Sequence, residues 1–477
     1  MTSLPNRSQG SLKKNHLSFT DVVAQAVGTI APSGSPALVI PVVFASAGNG
    51  TWLAYLFATL ALLLLSLNIN TFASRSASPG ALYAFAGQGL GAFWGSISGW
   101  ALVIAYLFTG AAVVAGTVNY ALVVLHLIFG EFADLAPSVL LSIGAVALAW
   151  YIAWRSIKLS TRLSLTLEGI TVTAILVVVI GVFVSHGGVS DAPQLTLSGV
   201  TLDNIQLGLV LAFFSFVGFE SAAVLGHEAN DPLRVIPRSV ITTVLAIGIF
   251  LVLSSYALVA GFQGNETTLD KADAPLSFIA DAIGLGFLGP VIAAGVAASF
   301  FASVLASINA GARVIYALSR HGILHGKAGD AHETHSTPHI AVTISALVAI
   351  ALSLPLTLLG VGLLDNFGYL GSVATFGFLV SYILVSVGAP VFLKKRGELK
   401  ARHVVVSVAS VVLLAIPFVG VLYPVPAYPL NLLPYVFAGL LAAGVLYFLY
   451  IRRQSPEVLE LIEHDLEDSA VLVQPAE

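Results

Sequence analysis

The chain predicts an all-α integral membrane fold of about twelve transmembrane helices, and three observations carry that expectation. Hydrophobic residues fill 57% and charged residues 9% of the 477 positions, with a mean hydropathy of +0.94. Soluble domains carry about 25% charge, so a water-soluble fold is nearly excluded. The apolar residues fall in segments long enough to cross a bilayer, which takes about 20 residues at a rise of 1.5 Å each. The charges also sort by side. Of the twenty Lys and Arg, nineteen lie in the two tails, in alternate loops or at the segment ends beside them. Only Lys271 lies on the other side, among Glu131, Asp134, Asp191, Asp203, Glu266, Asp270, Asp273, Asp281 and Asp365. This asymmetry places both termini in the cytoplasm of a multi-pass cell-membrane protein. A misplaced or missing span would invert every later loop and destroy the sorting.

The first five segments are 20–46, 51–73, 92–125, 138–154 and 163–185. Then follow 204–227, 237–262, 289–319, 338–358, 366–393, 404–423 and 431–451. Residues 1–19 form a polar, basic cytoplasmic tail with Lys13 and Lys14 ahead of the first span. No small-residue cleavage site follows a short apolar core, so 20–46 reads as a first helix and not as a removed signal peptide. Two external stretches are long, 186–203 and 263–288. The second contains Ala274 to Gly286, apolar yet too short to span, which reads as a lid on the outer face. Residues 320–337 form the longest cytoplasmic linker and 454–477 an acidic cytoplasmic tail. The absence of cysteine excludes disulfides and thiol chemistry and identifies no compartment.

Two segments are broken. Span one is interrupted at Ala31-Pro32-Ser33-Gly34-Ser35-Pro36 and span six at Ser215-Phe216-Val217-Gly218. Each proline removes a backbone donor and disfavours helix. The freed carbonyls and amides cannot face lipid, so they must line a cavity or bind something polar. A proline kink repaired by neighbouring serine hydroxyls is the alternative. The breaks are offset by five spans, an odd number, so a second five-helix unit would be inverted relative to the first. Paired broken helices in corresponding halves point to a transporter's binding site.

The stretch from span six into the next loop carries a recognisable pattern. It reads Phe213-Phe214-Ser215-Phe216-Val217-Gly218-Phe219-Glu220-Ser221, Glu228-Ala229-Asn230-Asp231-Pro232 and Arg234-Val235-Ile236-Pro237-Arg238. With Gly34-Ser35, Pro41 and Ala45-Ser46-Ala47-Gly48 in span one, and Ser78-Pro79-Gly80-Ala81-Leu82-Tyr83 before span three, it resembles the amino acid–polyamine–organocation family of secondary transporters. Gly99-Trp100, Ala312-Arg313, Ser319-Arg320-His321-Gly322 and Thr337-Pro338 add matches in the right order. The resemblance covers about 20–395 and implies a five-plus-five inverted-repeat core, in halves of about 20–185 and 204–393. It also implies two additional helices over 404–453 outside that core, and a substrate site at mid-membrane between spans one and six.

The candidate substrate-binding residues are Pro32, Ser33, Gly34, Ser35, Phe214, Ser215, Phe216, Val217 and Gly218. Free amides at the start of the second half of span one, at its positive dipole end, suit a carboxylate. Carbonyls freed from both breaks suit an ammonium. The resemblance implies that the residues matching Ser35 and Pro36 donate amides to the substrate carboxylate. Pro36 has none to give, so the Ser33 and Ser35 hydroxyls would substitute, or the substrate would lack a carboxylate. It also implies that Phe214 is an aromatic gate over the substrate, the alternative being a packing role shared with Phe213, Phe216 and Phe219. Tyr106 in span three would face the core if that helix packs as in the family.

Glu168 and Glu220 are the acids placed inside spans. A charge there costs about 2.5–3.5 kcal/mol on insertion scales, so such residues face a cavity and are functional by default. Glu168 reads either as a proton carrier or as a group satisfied by snorkelling or a fixed hydrogen bond. Glu220 reads as a brace of span six, with coupling the minority reading. Some family members carry a lysine in span five where others bind sodium. Aligned through Ser156-Ile157-Lys158 and Thr161-Arg162, that position is Thr171, with Glu168 one turn below. Ser303 and Ser307, at i and i+4 on span eight, match the hydroxyls around that site. With span-one carbonyls they would frame sodium. His321, His325, His332, His335 and His339 match no metal-site spacing and read as a charged loop.

These features predict secondary active transport of amino acids, neutral ones favoured because the presumed pocket holds small and aromatic side chains. The driving ion is proton in preference to sodium, with no cofactor and no metal. An amine, polyamine or organic-cation transporter of the same fold is the alternative, favoured by Pro36. A membrane enzyme would need a catalytic His, Asp or Cys cluster at the interface, and a channel a repeated selectivity loop. Neither is present. The partners are a small amino acid or amine and the lipid bilayer, with no nucleic acid, since the basic residues line the membrane's cytoplasmic edge. No oligomeric state follows from the sequence.

Overall fold

The computed structural model describes residues 17–76, 81–155, 161–224, 229–332, 335, 337–423 and 425–454. Most of both tails, the Ser78-Pro79-Gly80 stretch, Ser156-Ile157-Lys158 and Glu228 lie outside the described residues. Span one is α1 (Phe19–Ile30) followed by a π-helical turn Ser35–Val39 and α2 (Ile40–Ala47). Span two is α3 (Thr51–Ala73), α4 (Ala81–Leu90) precedes span three, α5 (Ala92–Phe129), and spans four and five are α6 (Leu135–Arg155) and α7 (Thr161–Ser185). A short turn, α8 (Ala192–Leu195), lies in the 186–203 stretch. Span six is α9 (Leu202–Phe214) plus α10 (Ser221–Val224), and span seven is α11 (Pro232–Phe262). The presumed lid forms α12 (Pro275–Ala282). Spans eight to twelve are α13 (Leu288–Arg320), α14 (His339–Leu358), α15 (Leu363–Lys395), α16 (Ala401–Leu422) and α17 (Leu433–Gln454).

Among the described residues, ten helical stretches are long and apolar enough to cross a membrane. One of them, Phe19–Ala73, holds both span one and span two, and the interrupted span six is a shorter apolar helix, Leu202–Phe214. Divided at the turn Gly48–Gly50, with span six added, they make the twelve segments. Among the described residues there is no strand, only one β-bridge between Leu17 and Ala229. Among the described residues the segment ends lie close to those expected from hydropathy, the expected end of span six at 227 lying outside them. The widest miss is span seven, which begins at Pro232 and carries Pro237 inside the helix. Pro232 suits a first helical position, where its N–H would have no partner. Pro237 has no N–H for the carbonyl of Leu233, a half-buried residue, and the Asn70 amide donates to Pro237's own carbonyl at 3.1 Å.

Helix α5 runs through the centre, buried nearly throughout, and packs on α13 and α15 with α4, α6 and α14 beside it. Helix α3 packs chiefly on α11, and α1 lies against α11 and α13. The outermost helix is α17, most of whose residues are exposed. Large apolar side chains such as Leu140, Ile180, Leu347, Val405 and Leu446 point outward, where hydrocarbon rather than water is their solvent. Helix starts at the membrane edge are capped. Ser18 with Asp21 and Thr201 with Asn204 form capping boxes at α1 and α9. The end of α3 is tied to the loop after α15 by Arg75, whose guanidinium lies 2.7 Å from Glu398, with Arg396 at 3.2 Å. Arg75 first, then Arg396, holds the Glu398 carboxyl below the usual carboxylate range.

Candidate functional site

The first break starts where Ala31 turns left-handed at φ 53° and closes α1 with an N–H to the Val27 carbonyl at 3.1 Å. Pro32 and Ser33 form the turn, and the chain resumes as the π-turn, in which the Ile40 N–H reaches back to the Ser35 carbonyl. Pro36 stands in the first positions of that turn, where a missing donor costs little. Pro41 has no N–H to give the carbonyl four residues back, that of Ala37. The Tyr120 hydroxyl donates to it at 2.7 Å.

The orphan amide of the turn goes to Glu168. Ser33 donates its N–H to Glu168 Oε1 at 2.8 Å and its hydroxyl to Oε2 at 3.1 Å, all within the buried interior. The Ser299 hydroxyl lies beside the same carboxyl. Glu168 therefore does not snorkel to the membrane edge; it clamps the first break from span five.

The second break runs from Ser215 to Glu220 between α9 and α10. Gly218 has φ +109°, and a Cβ there would sit 2.8 Å from the Thr29 side chain. Both the backbone and the space require glycine. The second break thus rests against the end of α1, and the Ser221 hydroxyl reaches the Thr29 hydroxyl at 3.3 Å. Glu220 accepts the Gly218 N–H at 3.2 Å, the Tyr106 hydroxyl at 2.9 Å and the Tyr382 hydroxyl at 3.1 Å. It ties the turn to α5 and α15. Each break is therefore held by one buried carboxyl that takes an amide the helix has released, which satisfies groups that lipid could not.

Between the breaks lies a cavity. Its wall is Thr29, Ile30, Ala31, Gly34, Ser35 and Val39 from span one, Tyr106, Thr109 and Val113 from α5, and Phe214, Ser215 and Val217 from span six. Phe300, Ser303, Ala306 and Ser307 of α13 and Phe367 of α15 complete it. Among the described residues, no charged side chain stands in this wall. The cavity volume is about 30 Å³, room for a water or two, so a bound amino acid requires the wall to move outward. Phe214 and Phe300 both pack against Phe367, with ring centroids 5.5 and 5.7 Å apart.

Of the expected substrate-site residues, Gly34, Ser35, Phe214, Ser215 and Val217 line the cavity, as do Ser303 and Ser307 of the expected coupling set. Pro32, Ser33, Phe216 and Gly218 do not; they shape the turns behind it. Thr171 is buried against Gly295 of α13 and gives its hydroxyl to the Leu167 carbonyl. Phe300 was missed, although Phe300, Ser303 and Ser307 at i, i+3 and i+7 share one helix face. Thr109 and Val113 were legible in the same way from Tyr106. Tyr382 and Phe367 gave no local signal. His332 and His335 lie 5.0 and 5.3 Å from the Trp154 ring and His339 lies against His332, and among the described residues no group of three or more His, Cys, Asp or Glu is arranged to hold a metal.

An all-helical membrane bundle with a cavity between two interrupted helices fits the architecture of a secondary transporter. Residues 21–430 match the amino acid permease family, and the chain belongs to it. It is 25% identical to a branched-chain amino acid permease of Bacillus subtilis (strain 168), over 86% of this chain and 87% of that one. It is 24% identical to a methylthioribose transporter of the same organism, over 95% of this chain and 97% of that one. It is also 24% identical to cationic amino acid transporter 4 of Mus musculus, over 77% of this chain and 59% of that one.

Proposed function

We propose that this amino acid permease carries neutral amino acids across the cell membrane, with both termini in the cytoplasm, by exposing the cavity between its broken helices to each side in turn. A core of two inverted halves, about 20–185 and 204–393, would do the moving, with 404–453 outside it. The observation that carries the substrate class is the cavity wall, built of hydroxyls, rings and freed backbone groups without a charged side chain. Carbonyls of the breaks would take the ammonium. The Ser35 hydroxyl would take the carboxylate, since Pro36 has no amide and the Ser33 amide is engaged by Glu168. A cationic side chain would find no counter-ion there, and its transfer would be costly.

We further infer that protons drive the cycle through Glu168. As a carboxylate it accepts both Ser33 donors; with a proton added, one oxygen becomes a donor and its hold on the first break weakens. Proton uptake and the geometry of the substrate site are thereby linked. Sodium framed by Ser303, Ser307 and span-one carbonyls is the competing coupling site. A second substrate reading is an uncharged polar solute, supported by the same hydroxyl-lined wall and by the methylthioribose-transporting relative matched over 97% of its length. The test is uptake by the purified protein in proteoliposomes. The panel is a labelled branched-chain amino acid, a cationic amino acid, an amine and methylthioribose, with proton and sodium gradients imposed separately. Saturable, proton-accelerated uptake of the neutral amino acid alone is expected. Preference for the cation or the amine would overturn the substrate class, and sodium dependence would overturn the coupling.

A further inference from the structure

The hydrogen bond between Tyr120 and Ala37 joins the central helix α5 to the outer half of span one, at a point where the helix has a spare acceptor. Pro41 removes the donor that would otherwise take the Ala37 carbonyl, and the Tyr120 hydroxyl replaces it at 2.7 Å with both residues fully buried. The contact lies on the outer side of the cavity in the proposed topology, because span one runs outward from Gly34 and α5 outward from Thr109. The Tyr120 ring also lies 6.3 Å from Phe300, whose ring rests against Gly34 and against Gly116, one turn before Tyr120. A carbonyl buried without a donor is costly, so α2 loses more by leaving this position than an ordinary helix would.

We propose that Tyr120 is a positioning residue for the transport cycle, holding the outer half of span one closed over the cavity through the carbonyl that Pro41 leaves free. It rests on the reading of the cavity as an alternately exposed substrate site. Opening outward breaks this bond and leaves the Ala37 carbonyl to water entering the cavity. Tyr120 touches no substrate in this scheme; it sets how often the site faces outward.

The experiment uses the full-length, cysteine-free chain with one cysteine at Val113 in the cavity wall, labelled by a membrane-impermeant thiol reagent from outside in intact cells. Tyr120→Phe keeps the ring and removes the bond, so labelling should be about two- to tenfold faster, the range set by one net hydrogen bond. Pro41→Ala, with Tyr120 kept, gives the carbonyl a helix donor and should also speed labelling. In the Pro41→Ala background the added effect of Tyr120→Phe should shrink, which a purely structural tyrosine would not produce. Labelling of Tyr120→Phe at the parent rate, or equal effects of Tyr120→Phe with and without Pro41, would overturn the proposal. Should Tyr120→Phe fail to reach the membrane, the Pro41→Ala rate alone decides, and no acceleration overturns it. Labelling needs no substrate, so this failure is distinct from failure of the transport reading, which would appear as no saturable uptake by the parent protein.

Discussion

Glu168 is the residue on which the chemistry of the site turns. A charged group buried at this depth is expensive, and here both carboxyl oxygens meet donors of one residue, Ser33, 135 positions away in the chain. Glu168→Gln keeps the shape of that contact and removes the exchangeable proton. The variant should lose the acceleration of uptake by an inward proton gradient while gradient-independent exchange survives, as read by counterflow and by net accumulation in the same vesicles. Full proton-driven accumulation by the variant would make Glu168 a structural clamp only. The sequence marked the acid and the break separately. Their pairing was not legible, because it depends on how α7 lies against span one. Thr171, aligned with a lysine position of some family members, was legible as a position but not as a wall residue; its side chain is spent on Gly295 and on its own helix.

The broken helices are the elements that matter, and they were the most legible part of the chain. Two prolines and a glycine within five residues cannot continue an α-helix, so the first break could be read from composition alone. The second was read from Ser215-Phe216-Val217-Gly218 paired with the first, and its geometry shows why the glycine is needed. At φ +109° with Thr29 at 2.8 Å, Gly218→Ala meets both backbone strain, about 1–3 kcal/mol for a left-handed non-glycine residue, and a clash. It should lower both thermal stability in detergent and transport rate, and Thr29→Ala should restore only part of the loss, because the backbone strain stays. Complete restoration, or a neutral Gly218→Ala, would mean that the turn adjusts freely. What hydropathy could not supply was the facing of the helices. Span ten was recognised as a span, yet Phe367 and Tyr382 reach the site only through the packing of α15 on α5 and α9, which no local period encodes. Phe300 lay within reach of the sequence, one turn from Ser303 on the same face.

The sorted charges and the packing of the helices fall into one arrangement. Arg75, Glu398 and Arg396 meet at one end of the bundle, while Asn49 holds the Ser198 carbonyl and the Gln263 amide at the other. The first group belongs to the proposed cytoplasmic side, the second to the outside. Single cysteines in place of Asp191 and Asp270 should react with an impermeant thiol reagent applied to intact cells, whereas one in the first nineteen residues should react only after the membrane is opened. Labelling of the N-terminal cysteine from outside would invert the proposed topology.

If the transported amino acid binds in the small cavity between the two breaks, bulk at Ser35 in its wall must block transport. The decisive measurement is saturable uptake of a labelled neutral amino acid by Ser35→Trp, reconstituted in proteoliposomes beside the parent protein at equal folded amount. An indole is larger than the cavity of about 30 Å³ and takes the space that the opened wall would give to substrate, so uptake should be abolished while the protein still inserts in the membrane. Uptake at the parent rate by Ser35→Trp would remove the cavity from the transport path.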